Sequence, residues 1–255
     1  MDAQAGEGML ERAMRILSCF SEDDAALAAS ELGARTGLSS STLHRILAQM
    51  VDLGLLARIA GRRYIIGSRL WELGELSPLA LHLRETALPH MMRLYEATGE
   101  NVHLAALDGE EPAGATALYV GKVTGHGSIP LLSRMGGRHL PHAVGVGKAL
   151  LSAQSDDWIR AYCAEPLERE TVHTITDPDA LLADLRTARA RGYAYAQEEM
   201  TLGNVSIGAP LGPVAGLPPA AIGVVVHMER ADERRLAALV RQAARDLTKD
   251  LTDSH

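Results

Sequence analysis

The chain has 255 residues, 47% of them hydrophobic and 22% charged, and a formal net charge of −7. This is the composition of an ordinary globular protein, long enough for two domains and for a sizeable core. The negative balance excludes a protein that coats DNA along its whole length, and the aromatic content of 4% disfavours stacking platforms for single-stranded nucleic acid.

The N-terminal pattern predicts a tail and two short helices. Residues 1–8 are small or acidic and are expected to form a flexible tail. A support helix is predicted from Met9, because apolar side chains then recur at helical spacing: Leu10, Met14, Ile16, Leu17 and Phe20. A second helix is predicted over 28–36, with Ser30 as its cap and Gly37 after its end.

The stretch from Ser39 to Gly54 has the features of a recognition helix. Ser39 offers an N-cap oxygen, and Gly54 follows the helix as a C′ glycine would. One buried stripe is predicted for Leu43, Ile46, Leu47 and Met50. The opposite face is polar and suits phosphates and base edges; its residues are Ser40, Ser41, Thr42, His44, Arg45 and Gln49.

A basic β-hairpin is predicted next, with strands over 55–59 and 63–66 joined around Gly61. Residues 35–69 contain six arginines and one acid, a balance that favours the phosphate backbone. The alternative is that these serines are caps and these arginines solvated surface, but the ordered combination favours a DNA-binding winged helix-turn-helix over 9–68. The predicted DNA contacts are Ser39, Ser40, Ser41, Thr42, His44, Arg45, Gln49, Arg58, Arg62 and Arg63.

A linker is predicted over 69–83, where Pro78 interrupts a short helical pattern. An apolar helix over 79–97 is expected to contribute to a subunit contact. Beyond Gly99 strands alternate with helices, which predicts a mixed α/β domain over 84–255 and an α+β protein overall.

Several patterns were weighed for other chemistry and are not favoured. Gly145-x-Gly147-Lys148 lacks the spacing of a phosphate loop, and Glu198 and Glu199 would point to opposite faces of a strand. His139, His142 and His173 do not form a helix-borne metal pair. No nucleophile elbow is present, and the two cysteines, Cys19 and Cys163, are far apart. We therefore expect no enzyme activity, no cofactor and no metal.

The chain resembles the IclR family of bacterial transcriptional regulators from about residue 9 to residue 251. The matching strings are SELGARTGLSSSTLHRIL at 30–47, RYIIGSRLWELG at 63–74, TGENVHLAAL at 98–107, HAVGVGKALL at 142–151, TITDPDALLADLRTARARGYAYAQEE at 174–199 and IGAPLGPVAG at 207–216. The resemblance implies a winged helix-turn-helix joined by a linker helix to a GAF-like effector-binding domain, in a homodimer or a dimer of dimers. Carried over by position, the effector site comprises Ser128, Leu131, His139, Gly145, Val146, Ala196, Asn204, Ser206, Gly223 and Val225.

Three functions are considered. The favoured one is a repressor or activator that binds a palindromic operator in double-stranded DNA and responds to a small metabolite, expected to be a compact organic or aromatic acid. The others are an enzyme built on the C-terminal domain and a protein-interaction adaptor. No membrane-length apolar run and no signal-peptide pattern are present, so we expect a cytoplasmic protein.

Overall fold

The computed structural model describes residues 7–109, 111–124 and 134–253. The described residues form two compact units, one ending at Ser77 and the other beginning at Pro78. The division falls inside the segment 69–83 that the sequence predicts as a linker. Ser128 and Leu131, two of the residues predicted to bind effector, lie outside the described residues.

The first unit is a winged helix-turn-helix. Its helices are α1 (Met9–Leu17), α2 (Ala29–Thr36), α3 (Ser40–Asp52) and α4 (Ser68–Glu75). Its strands are β1 (Leu27–Ala28), β2 (Leu56–Ile59) and β3 (Arg63–Ile66), which form an antiparallel sheet in the order β1-β3-β2. The hairpin of β2 and β3 is the wing, and a turn of 3-10 helix at Ala60–Arg62 joins its strands.

The core of this unit contains the predicted stripe of α3, which packs against side chains of the other helices and of the sheet. Its buried residues are Ile16, Leu27, Leu32, Leu43, Ile46, Leu47, Met50, Leu56 and Tyr64. Gly37 and Gly54 both have positive φ and follow α2 and α3, as their positions in the sequence predict.

One prediction for the first helices was wrong. Ser30 lies inside α2 and does not cap it; the Ala28 N–H instead donates to the Glu31 carboxylate at 2.6 Å, which is the glutamate half of a capping box. On α1, Ile16 is buried, whereas Leu10 and Met14 are 82% and 60% exposed. A nine-residue helix buries one narrow face here, so the remaining apolar residues are left on its surface.

The second unit is a mixed α/β domain. Its helices are α5 (Glu85–Thr98), α6 (Gly145–Ser152), α7 (Asp156–Tyr162), α8 (Pro178–Arg191) and α9 (Glu233–Asp253), and a turn of π-helix at Leu79–Arg84 precedes α5. Its strands are β4 (Asn101–Asp108), β5 (Thr116–Val123), β6 (Arg138–His139), β7 (Ala194–Gln197), β8 (Asn204–Pro210) and β9 (Ala220–His227).

These six strands form one antiparallel sheet in the order β6-β5-β4-β9-β8-β7, with a helical layer on each face. On one face α5 and α9 pack in an apolar core with Leu104, Ile207 and Ile222. On the other face α6, α7 and α8 enclose a second core. Side chains alternate between these two faces along each strand, so the strand register decides which residues lie next to α6.

Helix α6 approaches the sheet closely, and three glycines make the approach possible. A Cβ on Gly145 would lie 2.8 Å from the Ser206 backbone, and one on Gly208 would lie 2.5 Å from the Gly145 oxygen. A Cβ on Gly223 would lie 2.8 Å from a Val146 methyl carbon. Gly145, Val146 and Gly223, which the family resemblance assigns to the effector site, therefore have a packing role as well.

The predicted arrangement of the two adjacent glutamates needs correction. Strand β7 ends at Gln197, and Glu198 has φ 57°, so the pair does not lie in a strand. The two carboxylates nevertheless have separate partners. Glu198 accepts a hydrogen bond from the Gly203 N–H at 2.7 Å, and Glu199 forms an ion pair with Lys148.

Candidate DNA-binding surface and effector pocket

The polar face of α3 is available for contacts outside the protein. Ser39 caps the helix, and its hydroxyl is 2.9 Å from that of Thr42. The face is exposed at Ser40, Ser41, His44, Arg45 and Gln49, and half-buried at Thr42. The first turn of the helix contains no acid, so no carboxylate offsets the partial positive charge of the helix N-terminus.

The wing carries two further exposed arginines, Arg58 and Arg62. Arg62 lies at the turn with φ 59°, next to Gly61. The Arg58 guanidinium carbon is 5.9 Å from the centroid of the Tyr64 ring, a distance at which a cation–π interaction holds the side chain along the strand. Arg45, Arg58 and Arg62 form no ion pair with any described residue.

The other three arginines of this basic stretch are engaged within the unit. Arg35 is 2.8 Å from Asp24 and Arg69 is 2.9 Å from Glu72. The Arg63 guanidinium donates to the Ala26 carbonyl and is 3.3 Å from Glu31. The local positive excess counted from the sequence is therefore partly compensated by acids outside the counted stretch, and the unpaired charge is concentrated on α3 and the wing.

A pocket opens on the face of the second unit's sheet that α6 covers. Its cavity volume, measured as the space open to the centre of a water-sized molecule, is about 40 Å³. Its lining residues come from five neighbouring strands and the segments beside them: His103, Tyr119, Ala143, Val144, Ala196, Glu199, Met200, Thr201, Asn204, Ser206 and Val225.

Four of the predicted effector residues, Ala196, Asn204, Ser206 and Val225, line this pocket. The strand register aligns three of them, because Ser206 pairs with Ala196 on one side and with Val225 on the other. His139 lies beside the pocket, with its ring centroid 4.4 Å from that of Tyr119.

The polar groups of the pocket differ in whether they are already satisfied. The Ser206 hydroxyl accepts a hydrogen bond from the Gly145 N–H at 2.9 Å, so the first amide of α6 is not free for an anion. In contrast, Asn204 Nδ2 and His139 Nε2 are buried without a hydrogen-bond partner in the described part of the chain. A buried donor without an acceptor is costly, so Asn204 favours a ligand that brings an acceptor.

Glu199, which lines the pocket, is held in place by a buried ion pair. Glu199 accepts from the ammonium of Lys148 at 2.5 Å, and the same ammonium is 2.9 Å from Asp184. Lys148 is fully buried. Burial raises the pKa of Glu199, and the Lys148 charge opposes that rise. An ammonium held by two carboxylates cannot act as a phosphate ligand, so Gly145-x-Gly147-Lys148 is not a phosphate loop.

The remaining candidate histidines also have ordinary structural roles or none. His142 Nε2 is 2.8 Å from the Glu168 carbonyl, which can accept but not donate, so His142 Nδ1 accepts from the Tyr162 hydroxyl at 2.6 Å. His173 is exposed. No group of metal-ligating side chains suitable for an ion occurs in the described ranges. None of the helices described is long and apolar enough to cross a membrane.

Two family models match the chain. The IclR helix-turn-helix domain matches residues 9–60, and the C-terminal domain of bacterial IclR transcriptional regulators matches residues 79–249. The chain belongs to the IclR family. It is therefore a transcriptional regulator with a DNA-binding helix-turn-helix, not an enzyme.

Individual IclR-family proteins are similar over nearly their full length. The chain is 34% identical to the HTH-type transcriptional regulator BhcR of Paracoccus denitrificans over 94% of this chain and 85% of that one. It is 28% identical to the transcriptional repressor IclR of Escherichia coli over 94% and 88% of the two chains. An IclR homologue from Microbacterium hydrocarbonoxydans, crystallised with 4-hydroxybenzoate, superposes with a TM-score of 0.87 at 32% identity, covering 96% and 99% of the chains.

Family-based reasoning from the sequence missed two aromatic residues of the pocket, His103 and Tyr119. His103 lies in β4 and Tyr119 in β5. The signal that could have found Tyr119 was its alternation with Ala115 and Ala117, which are buried on the α6 face. His103 carries no such signal, because every residue from Asn101 to Leu107 is buried.

Proposed function

We propose that this IclR-family regulator binds a palindromic operator through α3 and the wing, and that a compact acid bound in the second unit controls its operator affinity. The observation that supports the DNA contact most directly is the set of three exposed arginines on α3 and the wing, Arg45, Arg58 and Arg62, which form no ion pair with a described residue. Such a surface offers side chains for base edges and charge for the phosphates on either side. We infer that the protein acts in the cytoplasm, where that DNA is.

The operator interaction is tested by fluorescence anisotropy with the intergenic DNA upstream of the regulator's own gene and of its neighbours. We expect specific binding that unlabelled operator displaces and that unrelated DNA of equal length does not. Equal competition by both DNAs would contradict the proposal and favour the adaptor hypothesis.

We propose that the active form is a homodimer or a dimer of dimers. Two recognition helices read two half-sites one helical turn apart only if two subunits pair. Within the first unit α1 exposes the apolar side chains Met9, Leu10 and Met14, and within the second unit α5 exposes Leu88 and Met92. Exposed apolar groups of this kind suit a subunit contact. Sedimentation showing a monomer at micromolar concentration would contradict this proposal.

The proposed effector has one acidic or strongly hydrogen-bonding end and an apolar remainder. Asn204 Nδ2 supplies an unpaired donor, and the hydroxyls of Thr201 and Ser206 line the same pocket. Ala143, Val144, Ala196 and Val225 form apolar parts of the wall. A polyhydroxylated sugar acid is disfavoured, because too few polar groups are present to satisfy its hydroxyls.

The first ligand to test is 4-hydroxybenzoate, because the similar Microbacterium protein was crystallised with it. A screen of small acids by calorimetry on the full-length protein should include it together with aliphatic and polyhydroxylated acids. We expect compact acids to bind, to change the anisotropy midpoint with operator DNA, and to bind more weakly to Asn204→Leu. Binding of polyhydroxylated acids alone would contradict the proposal, as would full affinity in both Asn204→Leu and His139→Ala.

A further inference from the structure

Three side-chain rings contact one another in a row along the edge of the sheet beside the pocket. Tyr119 on β5 lies between His103 on β4 and His139 on β6. Its ring centroid is 4.8 Å from that of His103, with an interplanar angle of 39°. On the other side the distance to His139 is 4.4 Å and the angle 49°. These distances are those of favourable aromatic contacts.

Tyr119 lies on the pocket side of β5, directly before a β-bulge. Ala105 pairs with Tyr119 while Leu104 pairs with Gly121, so one extra residue, Val120, is accommodated in β5. Gly121 consequently faces Leu104 and Met91 on the opposite side of the sheet. Tyr119 stays on the face that α6 covers, where it lines the pocket together with His103, while the bulge turns Gly121 to the other face.

This group of rings carries no charge at neutral pH. Burial lowers the pKa of His103 to about 3, with a further contribution from Lys122, and burial also lowers the pKa of His139. Burial raises the pKa of Tyr119, so its hydroxyl keeps its proton. A wall of uncharged rings recognises a ligand by ring geometry and dispersion rather than by charge.

Tyr119 is also held in position before any ligand arrives. It is 3% exposed, and its two ring neighbours limit rotation of its side chain. A ring that is already ordered loses little side-chain entropy when a ligand packs against it. In contrast, the aliphatic parts of the wall, such as Val144 and Val225, accept any apolar group of suitable size.

We propose that Tyr119 is a specificity-determining residue of this pocket, whose fixed ring selects an effector with an aromatic ring over a saturated one of similar size and equal charge. This inference rests on the proposed effector-binding function. The expected preference is about threefold to tenfold, since aromatic pairs gain that much beyond the burial of area.

The test compares benzoate with cyclohexanecarboxylate, two acids that differ in ring saturation. Calorimetry on the full-length wild-type protein should give tighter binding of benzoate. Tyr119→Leu should bind both acids with similar affinity, whereas Tyr119→Phe, which keeps the ring, should retain the preference. Removing a flanking ring with His139→Leu should reduce the preference, because Tyr119 is then less constrained.

Three results would overturn the proposal: no preference in the wild type, an unchanged preference in Tyr119→Leu, or binding of neither acid. The wild-type comparison decides the question even if Tyr119→Leu does not fold. Each of these outcomes is separate from failure of the proposed function, which is measured as operator binding and its response to the wider set of acids.

Discussion

The recognition helix and the effector pocket are built in different ways. On α3 the candidate contacts lie within one helix, between Ser39 and Gln49, and their orientation follows from helical periodicity alone. In the pocket the lining residues come from strands that are far apart in sequence, so their meeting depends on strand order and register. A contiguous site can be predicted from a local pattern, whereas a site assembled across a sheet cannot.

The DNA-binding surface and the pocket also differ in how many of their side chains bind other parts of the protein. Arg45, Arg58 and Arg62 form no ion pair with a described residue. Beside the pocket, Glu199 and Ser206 hold α6 through Lys148 and the Gly145 N–H. Substitution of these three arginines should therefore change operator affinity without changing stability, and substitutions behind the pocket should change stability first.

The largest expected effect is that of Lys148→Met. The substitution leaves Glu199 buried without its cation, and breaking a buried ion pair in this way costs about 3–5 kcal/mol. Urea unfolding of the full-length protein should show this loss in the transition of the second unit. The double variant Lys148→Met/Glu199→Gln should recover part of it, because it removes the uncompensated charge.

The matched control is Arg160→Ala, which breaks the exposed ion pair with Asp157. Exposed pairs contribute about 0–1 kcal/mol, so its unfolding midpoint should stay close to that of the wild type. Equal losses in Arg160→Ala and Lys148→Met would show that the buried ion pair contributes no more to stability than an exposed one.

The sequence predicted the first unit well because its signals are local. The buried stripe of α3, the glycines after α2 and α3, and the basic hairpin were all predicted correctly from neighbouring residues. What the sequence did not predict in this unit were contacts between residues far apart in the chain. The acids that neutralise Arg35, Arg63 and Arg69 include Asp24 and Glu31, which pattern analysis of residues 35–69 did not include.

For the second unit the sequence predicts the helices and strands, but it does not predict most of the contacts between their side chains. Positional transfer from the family found four lining residues, including Asn204. It did not find Tyr119, which lies in β5 on the face that α6 covers, or Glu199, which lies beyond the end of β7. Lys148 shows the same limit, since nothing local to it indicates that its partners are Asp184 and Glu199.

The second-largest effect is expected for Arg45→Ala, which should lower operator affinity. Loss of a base or phosphate contact from the exposed face of α3 should weaken operator binding by about 1–3 kcal/mol. The melting temperature should be unchanged, because Arg45 has no ion-pair partner to lose among the described residues. Anisotropy titration and thermal unfolding of the same preparation test both statements.

Arg69→Ala is the control for this surface, since Arg69 is equally basic but is paired with Glu72. Its operator affinity should stay near that of the wild type. Wild-type affinity in Arg45→Ala, or equal weakening in both variants, would show that α3 does not read the operator as proposed.

A smaller effect is expected from acidification, and it concerns the pocket region alone. His103 has a pKa of about 3 in the folded protein against an ordinary value of 6.5. Between these pH values the unfolded chain binds more protons, so stability falls as pH decreases below about 6.5. The loss attributable to His103 between about pH 7 and about pH 5.5 should be about 1 kcal/mol.

Urea titrations of the wild type and of His103→Gln at both pH values isolate this contribution. Groups such as His139, His142 and Glu199 titrate in both proteins, so the difference between their pH dependences belongs to His103. Equal pH dependence of the two proteins would mean that His103 does not stay neutral in the fold.

The smallest expected effect is on the salt dependence of operator binding, and it tests the assignment of unpaired charge to the wing. Each arginine that neutralises a phosphate releases about one counterion, so Arg58→Ala and Arg62→Ala should each reduce the log–log salt slope by about one. When salt is raised from about 50 to about 200 mM, the operator affinity of each variant should therefore fall about three- to fourfold less than that of the wild type. Arg69→Ala should leave the slope unchanged, because that guanidinium is already paired with Glu72.

Arg63→Ala distinguishes two roles for its side chain. An unchanged slope with a lower melting temperature would mean that Arg63 supports the wing through Ala26 and Glu31, whereas a slope reduced by about one would mean that it also binds phosphate. Wild-type slopes in both Arg58→Ala and Arg62→Ala would exclude the wing from the phosphate contact and leave α3 as the whole of the DNA-binding surface.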